Sequence, residues 1–156
     1  KSCSKHVLKE FFGINQLAYD IQGKPITNQL DKLVSISHSK KRLAVAVYDE
    51  PVGVDIELIS EKATRIKKKF LNPNDCKCPP EVSESLFYTL LWAVKESIFK
   101  KYSEKEHLIF SEQIWIDEIK MGKGQMTAMV GLTNEKDRKE DLGFEIISDY
   151  VLVFTL

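Results

Sequence analysis

The segment 83–102 constrains this chain more than any other. Leu86, Phe87, Leu90, Leu91, Ala93, Val94, Ile98 and Tyr102 recur at helical spacing and gather on one broad arc. An apolar stripe that wide must lie on a complementary apolar layer, and the other periodicities supply one. Residues 52–58 (VGVDIEL) alternate Val54, Ile56 and Leu58 with Gly53, Asp55 and Glu57, the period-2 signature of a strand with one buried face. Runs at 33–37 and 43–48, rich in Val, Ile and Ala, read as a hairpin, and 108–116, 125–130 and 144–156 read as three further strand segments, with a buried stretch at 150–156. Helix-then-strands therefore occurs twice, before and after residue 51. The expected fold class is α+β, and the repetition hints at two pseudo-symmetric lobes of antiparallel sheet packed with helices, expected at 1–50 and 51–156 and expected to fold as one unit.

Shorter signals complete the reading. A helix over 5–12 presents Val7, Leu8, Phe11 and Phe12 and is closed by Gly13. An extended 17–21 leads into a Gly23-Lys24-Pro25 turn. A basic helix over 61–70 is broken by Asn72-Pro73-Asn74-Asp75, and the charged run 134–141 reads as a solvated turn.

Composition narrows the function classes. The chain is 43% hydrophobic and 29% charged, with no apolar run long enough to span a bilayer. Lys plus Arg equals Asp plus Glu at 23 each, so there is no global electrostatic case for nucleic acid or an anionic membrane, and any anion must be held by local charge. Cys3, Cys76 and Cys78 are too few and too odd for a secreted disulfide framework, which favours a cytoplasmic location. The chain begins at Lys1 rather than Met, and the N-terminal lobe is expected to be incomplete.

Several groups carry possible chemistry. Asp55 and Glu57 share one strand face with Cβ atoms about 7 Å apart, close enough to share a hard cation such as Mg²⁺; alone, the pair also fits two solvent-facing residues. Glu96 and Lys100 lie one turn apart at the border of the apolar arc, positioned either for a cleft or as an ordinary surface pair. Trp92 reads as a packing residue. Adjacent residues of a strand point oppositely, so Ser37-His38-Ser39 is no hydrolase triad; His38 with Lys40, Lys41 and Arg42 forms either an anion-binding turn, which Lys24 could join, or a solvated basic loop. Lys62, Arg65, Lys67, Lys68 and Lys69 form the largest local positive excess, a solvated face or a docking site for an acidic protein. His6, His38 and His107 are too scattered for a zinc site.

Taken in order, Gly23-Lys24-Pro25, Ser35-Ile36-Ser37-His38-Ser39, Gly53-Val54-Asp55-Ile56-Glu57 and Trp92-Ala93-Val94-Lys95-Glu96-Ser97-Ile98-Phe99-Lys100 resemble the 4′-phosphopantetheinyl transferases, specifically the two-lobe, surfactin-synthetase-activating type. The resemblance implies transfer of 4′-phosphopantetheine from coenzyme A to a serine of an apo acyl or peptidyl carrier protein, with adenosine 3′,5′-bisphosphate as the other product. It implies Mg²⁺ held by Asp55, Glu57 and Glu96, with Glu96 also the base toward the carrier serine and Lys100 on phosphate. It places Ser37 and His38 near the 3′-phosphate of coenzyme A and Lys24 with Pro25 at its adenine end. The glycines that often follow the helix lysine in that family are replaced by Lys101-Tyr102-Ser103-Glu104-Lys105-Glu106-His107. A monomer is expected, because two lobes complete the family's cleft. Two other readings use the same residues: a degenerate homologue that binds coenzyme A or carrier without turnover, and a Mg²⁺-dependent phosphohydrolase.

Overall fold

Ser83 caps the helix that organises the fold: its hydroxyl accepts the Leu86 N–H and opens α3, Glu84–Tyr102. A computed structural model describes residues 2–27 and 31–156. Helix α3 lies on a five-stranded antiparallel sheet of β5 (Val54–Leu58), β6 (Ile114–Lys120), β7 (Gln125–Val130), β8 (Arg138–Ile147) and β9 (Tyr150–Thr155), in the spatial order β5-β9-β8-β7-β6. The arc read from the sequence is the buried face, with Phe87, Leu90, Leu91, Val94 and Ile98 packed against Ile114, Ile116, Met126, Val130, Leu142, Val151 and Val153. Each fully buried large side chain contributes about 1.5–3 kcal/mol of transfer free energy, so this cluster dominates stability.

Lys95 sits on the same helix and is fully buried. Its ammonium donates to the carbonyls of Phe70 and Ile114 and pairs with Asp75 Oδ2 at 2.7 Å. The other Asp75 oxygen accepts the Ile116 N–H, which ties the 71–80 loop to both helix and sheet. Burial pulls the Lys95 pKa down and Asp75 opposes the shift.

The first part of the chain is smaller. Helix α1 (Ser2–Phe12) starts three residues earlier than the spacing predicts and ends at Gly13, whose φ of 67° suits a left-handed cap. Of its expected apolar face Leu8 is buried, whereas Phe11 is 77% exposed and Phe12 43%. Leu8 meets Ile14, Leu17 and Val34 in a compact cluster. Strands β1 (Leu17–Tyr19) and β2 (Pro25–Thr27) flank the predicted turn, where Asp20 Oδ1 accepts the N–H groups of Gln22 and Lys24. The predicted hairpin is β3 (Leu33–Ser39) paired with β4 (Arg42–Tyr48).

Three expectations change. Within 108–116, Phe110–Gln113 is one turn of helix, α4, because the Gln113 side chain accepts the Ile109 N–H and donates to Gly131 O; β6 begins only at Ile114. The run 134–141 is not a solvated turn throughout: β8 starts at Arg138, and buried Glu140 accepts the Tyr102 hydroxyl and pairs with Lys101. The segment 144–156 is not one strand: it holds the end of β8, a reversal at Ser148, whose φ is 58°, and β9, which pairs back on β8. The basic stretch 61–70 is helix α2 (Glu61–Ile66) followed by a tighter turn at Lys67–Lys69. Among the described residues no helix is long and apolar enough to cross a membrane.

Candidate active site

Gly53 determines how closely helix and strand approach. A Cβ there would lie 1.8 Å from the Ser97 carbonyl oxygen, so only glycine lets α3 cross the start of β5 at this distance. The crossing lays Lys100 beside Asp55: the ammonium donates to Asp55 Oδ1 at 2.7 Å and to the Val54 carbonyl at 3.0 Å. Val54, Ile56 and Leu58 face the opposite way, toward Ala44 and Tyr150. Asp55 and Glu57 are therefore not on a solvated strand face, since Asp55 is only 3% exposed and Glu57 is partly covered.

The other edge of β5 meets the β3 serines. Ser37 donates to Asp55 Oδ1 at 2.7 Å and Ser39 to Glu57 Oε2 at 3.2 Å, while the Trp92 indole N–H reaches Glu57 Oε1 at 3.3 Å. Asp55 Oδ2 is buried and has no hydrogen-bond partner. Burial raises the Asp55 pKa, opposed by Lys100 and Ser37. Glu57 is raised by burial and then by the Asp55 charge, and Glu96 likewise. The charge of three carboxylates crowded in this way is only partly offset by the Lys100 ammonium.

An all-oxygen donor set with an orphaned, buried carboxylate oxygen fits a hard divalent cation such as Mg²⁺. The fit is one of charge and donor type around Asp55 Oδ2. Among the described residues no three acidic, His or Cys side chains already form a ligand cage, and the Lys100 ammonium supplies the positive charge next to Asp55.

Glu96 and Lys100 also line a cavity of about 620 Å³, together with Gly23, Lys24, Pro25, Val34, Ile36 and residues 103–107. Across it, Lys24 pairs with Glu104 at 2.5 Å. Asp55 and Glu57 do not line this cavity. Glu57, Trp92 and Lys62 border a separate, shallow cleft beside α2. Ser37 is turned to Asp55 and does not line the large cavity, whereas His38 is exposed on the strand face that Val34 and Ile36 share. Arg42, in the turn read as either anion-binding or a solvated basic loop, stacks its guanidinium over the Tyr150 ring at 5.6 Å.

Some contacts around these residues carry weak sequence signals. Trp92 does pack on Phe70 and Phe110, as expected, yet its indole N–H also orients Glu57. The contact of Ser39 with Glu57 has as its only sequence signal the Ser-x-Ser-x-Ser alternation along one strand face, and that of Glu104 with Lys24 only an acid where the family resemblance leads one to expect glycine.

The sequence assigns the chain to an enzyme family. The sequence pattern described as the ACPS, 4′-phosphopantetheinyl transferase superfamily matches residues 51–152, and the chain belongs to that superfamily. Among curated proteins, it is 30% identical over 118 residues to the 4′-phosphopantetheinyl transferase gsp of Aneurinibacillus migulanus, covering 74% of this chain and 47% of that protein. It is 28% identical over 104 residues to the transferase psf-1 of Bacillus pumilus, covering 62% and 45%. A 4′-phosphopantetheinyl transferase of Bacillus subtilis is 33% identical over 85 residues, covering 51% and 37%. The chain thus spans about half the length of the curated relatives it matches.

Proposed function

We propose that this protein transfers 4′-phosphopantetheine from coenzyme A to a serine of an apo acyl or peptidyl carrier protein, in a Mg²⁺-dependent reaction. The observation that carries the reading is the pairing of an orphaned Asp55 oxygen with a cavity whose wall is Glu96 and Lys100, in a chain of this superfamily. Asp55, Glu57 and Glu96 would hold the cation, which screens the pyrophosphate charge when bound. Lys24 and Pro25, which line the same cavity, bind the donor, and Lys100 offsets the negative charge that develops on the leaving phosphate. The carrier serine oxygen bonds to the phosphorus bearing the pantetheine, and that phosphorus releases its bridging oxygen to adenosine 3′,5′-bisphosphate. The serine proton passes to Glu96, directly or through water. Burial raises the Glu96 pKa, which makes its carboxylate a stronger base than an exposed glutamate.

The reading is tested by thermal-shift titration with coenzyme A, with and without Mg²⁺, since a ligand that binds the native state raises its melting temperature. A Mg²⁺-dependent rise is expected; no rise in folded protein would count against the donor site. Glu104 supplies a second check. Its ion pair with Lys24 competes with the donor, so Glu104→Gln is expected to tighten coenzyme A binding several-fold in calorimetry, whereas weaker binding would show that Glu104 positions Lys24 instead.

The acceptor would approach from the other side of α3. The cleft holding Glu57 and Trp92 is bordered by Lys62 on α2, and Lys62, Arg65, Lys68 and Lys69 are exposed there. This basic face suits the acidic helix of a carrier protein. Charge reversal across Lys67–Lys69 is expected to raise KM for carrier roughly tenfold and leave KM for coenzyme A unchanged. An unaltered carrier KM would remove the surface from the account.

A further inference from the structure

The serine stripe of β3 does more than join two parts of the chain. Strand β5 pairs with β9 on one edge, which leaves the N–H groups of its other edge without a strand partner. Ser35, Ser37 and Ser39 fill that edge in register, their hydroxyl oxygens accepting the N–H groups of Val54, Ile56 and Leu58 at 3.0, 3.3 and 3.1 Å. A period of two puts all three on one face of β3 and opposite alternate residues of β5. Once a backbone N–H occupies a serine lone pair, the hydroxyl proton is directed elsewhere. At Ser37 it goes to Asp55 and at Ser39 to Glu57.

We propose that Ser37 and Ser39 are positioning residues that aim Asp55 and Glu57 at the cation, so that the β3–β4 hairpin sets the geometry of an ion site carried by another strand. The proposal rests on the cation reading above and goes beyond it, because neither serine is asked to touch ion or substrate. Ser37 and Lys100 together occupy Asp55 Oδ1, which leaves Oδ2 as the oxygen free for an ion. Ser39 and Trp92 fix one oxygen each of Glu57. A ligand oriented by such partners loses affinity for its ion when they are removed, typically about 10–100-fold.

Ser35 is the internal control. It performs the same backbone task as its neighbours, and its described bond is to the Val54 N–H alone. Ser35→Ala, Ser37→Ala and Ser39→Ala each strip one N–H of its acceptor and are expected to lower the melting temperature comparably. Binding of Mn²⁺ alone, read by electron paramagnetic resonance as the loss of free-ion signal, separates them. Ser37→Ala is expected to weaken Mn²⁺ about tenfold or more and Ser39→Ala to a lesser degree, with Ser35→Ala at the wild-type value. Should Ser37→Ala fail to fold, Ser39→Ala at the end of the stripe carries the comparison. Wild-type binding with all three variants unchanged would overturn the positioning role alone. Wild type that takes up no Mn²⁺ would overturn the cation reading and this inference with it.

Discussion

Asp55→Asn is expected to lower carrier modification about 10³-fold while leaving the fold intact and raising the melting temperature in Mg²⁺-free buffer. The activity loss follows from removing a charge that holds the cation against the pyrophosphate, an effect worth several kcal/mol in the transition state. The stability gain follows from electrostatics. Asp55, Glu57 and Glu96 all have folded-state pKa values above their ordinary 3.8, 4.5 and 4.5, with burial as the largest cause in each case. A raised carboxyl pKa means that the folded chain binds more protons than the unfolded one, so stability falls as pH climbs through the ordinary values to the raised ones and stays lower above them. Asparagine removes one of these charges and the repulsion it exerts on the other two. Its former partner Lys100 has a side chain 26% exposed and can regain water. Wild type should therefore lose melting temperature as pH rises across that window, Asp55→Asn should lose less, and Mg²⁺ should restore wild type alone. Thermal scans across pH with and without Mg²⁺, run beside a transfer assay, check all of this. A rate and a melting temperature that collapse together would contradict it.

Gly53→Ala is expected to damage fold and activity together. A Cβ placed 1.8 Å from the Ser97 carbonyl oxygen meets backbone on a helix buried along most of its length, so neither side can yield locally. The strand edge is fixed as well, because Gly53 N–H donates to the Thr155 hydroxyl and its carbonyl accepts the Thr155 N–H, while the Ser97 hydroxyl donates to Val153 O. Overpacking of this kind costs about 3 kcal/mol or more, which for a chain of this size lowers the melting temperature by roughly 6–12 °C. Because the same contact sets the distance from Lys100 to Asp55, activity should fall further than the lost folded fraction accounts for. Circular dichroism melts and rates normalised to folded protein check this. An alanine variant with wild-type melting temperature would show that α3 does not depend on this approach.

Local periodicity makes the frame of this fold legible. The arc of 83–102 specifies a helix on a sheet, the alternation at 52–58 marks β5, and the order of motifs points to the superfamily. Tertiary contacts decide what periodicity leaves open. Phe110–Gln113 looks like strand, but the Gln113 side chain closes a helical turn through Ile109 and Gly131, which lies distant in sequence. Glu140 belongs to a charged run, yet Tyr102 and Lys101 draw it under the helix. Phe11 and Phe12 have helical spacing, but an apolar pattern does not say what covers it. At the site, residue type and spacing mark Asp55, Glu57, Glu96 and Lys100 as candidates, and the chemistry proposed for them comes from the resemblance to the superfamily. The contacts of Ser37, Ser39 and Glu104 are not legible in either, because each depends on a partner 18 or 80 residues away in the chain.

The most direct test of the account is mass spectrometry of an apo carrier protein incubated with the purified protein, coenzyme A and Mg²⁺. The account predicts that the carrier gains one 4′-phosphopantetheine on a serine, that adenosine 3′,5′-bisphosphate appears in equal amount, and that Asp55→Asn slows the appearance of both about 10³-fold. Phosphate released from coenzyme A without carrier modification, or Mg²⁺-dependent coenzyme A binding with no turnover on any carrier tested, would contradict it.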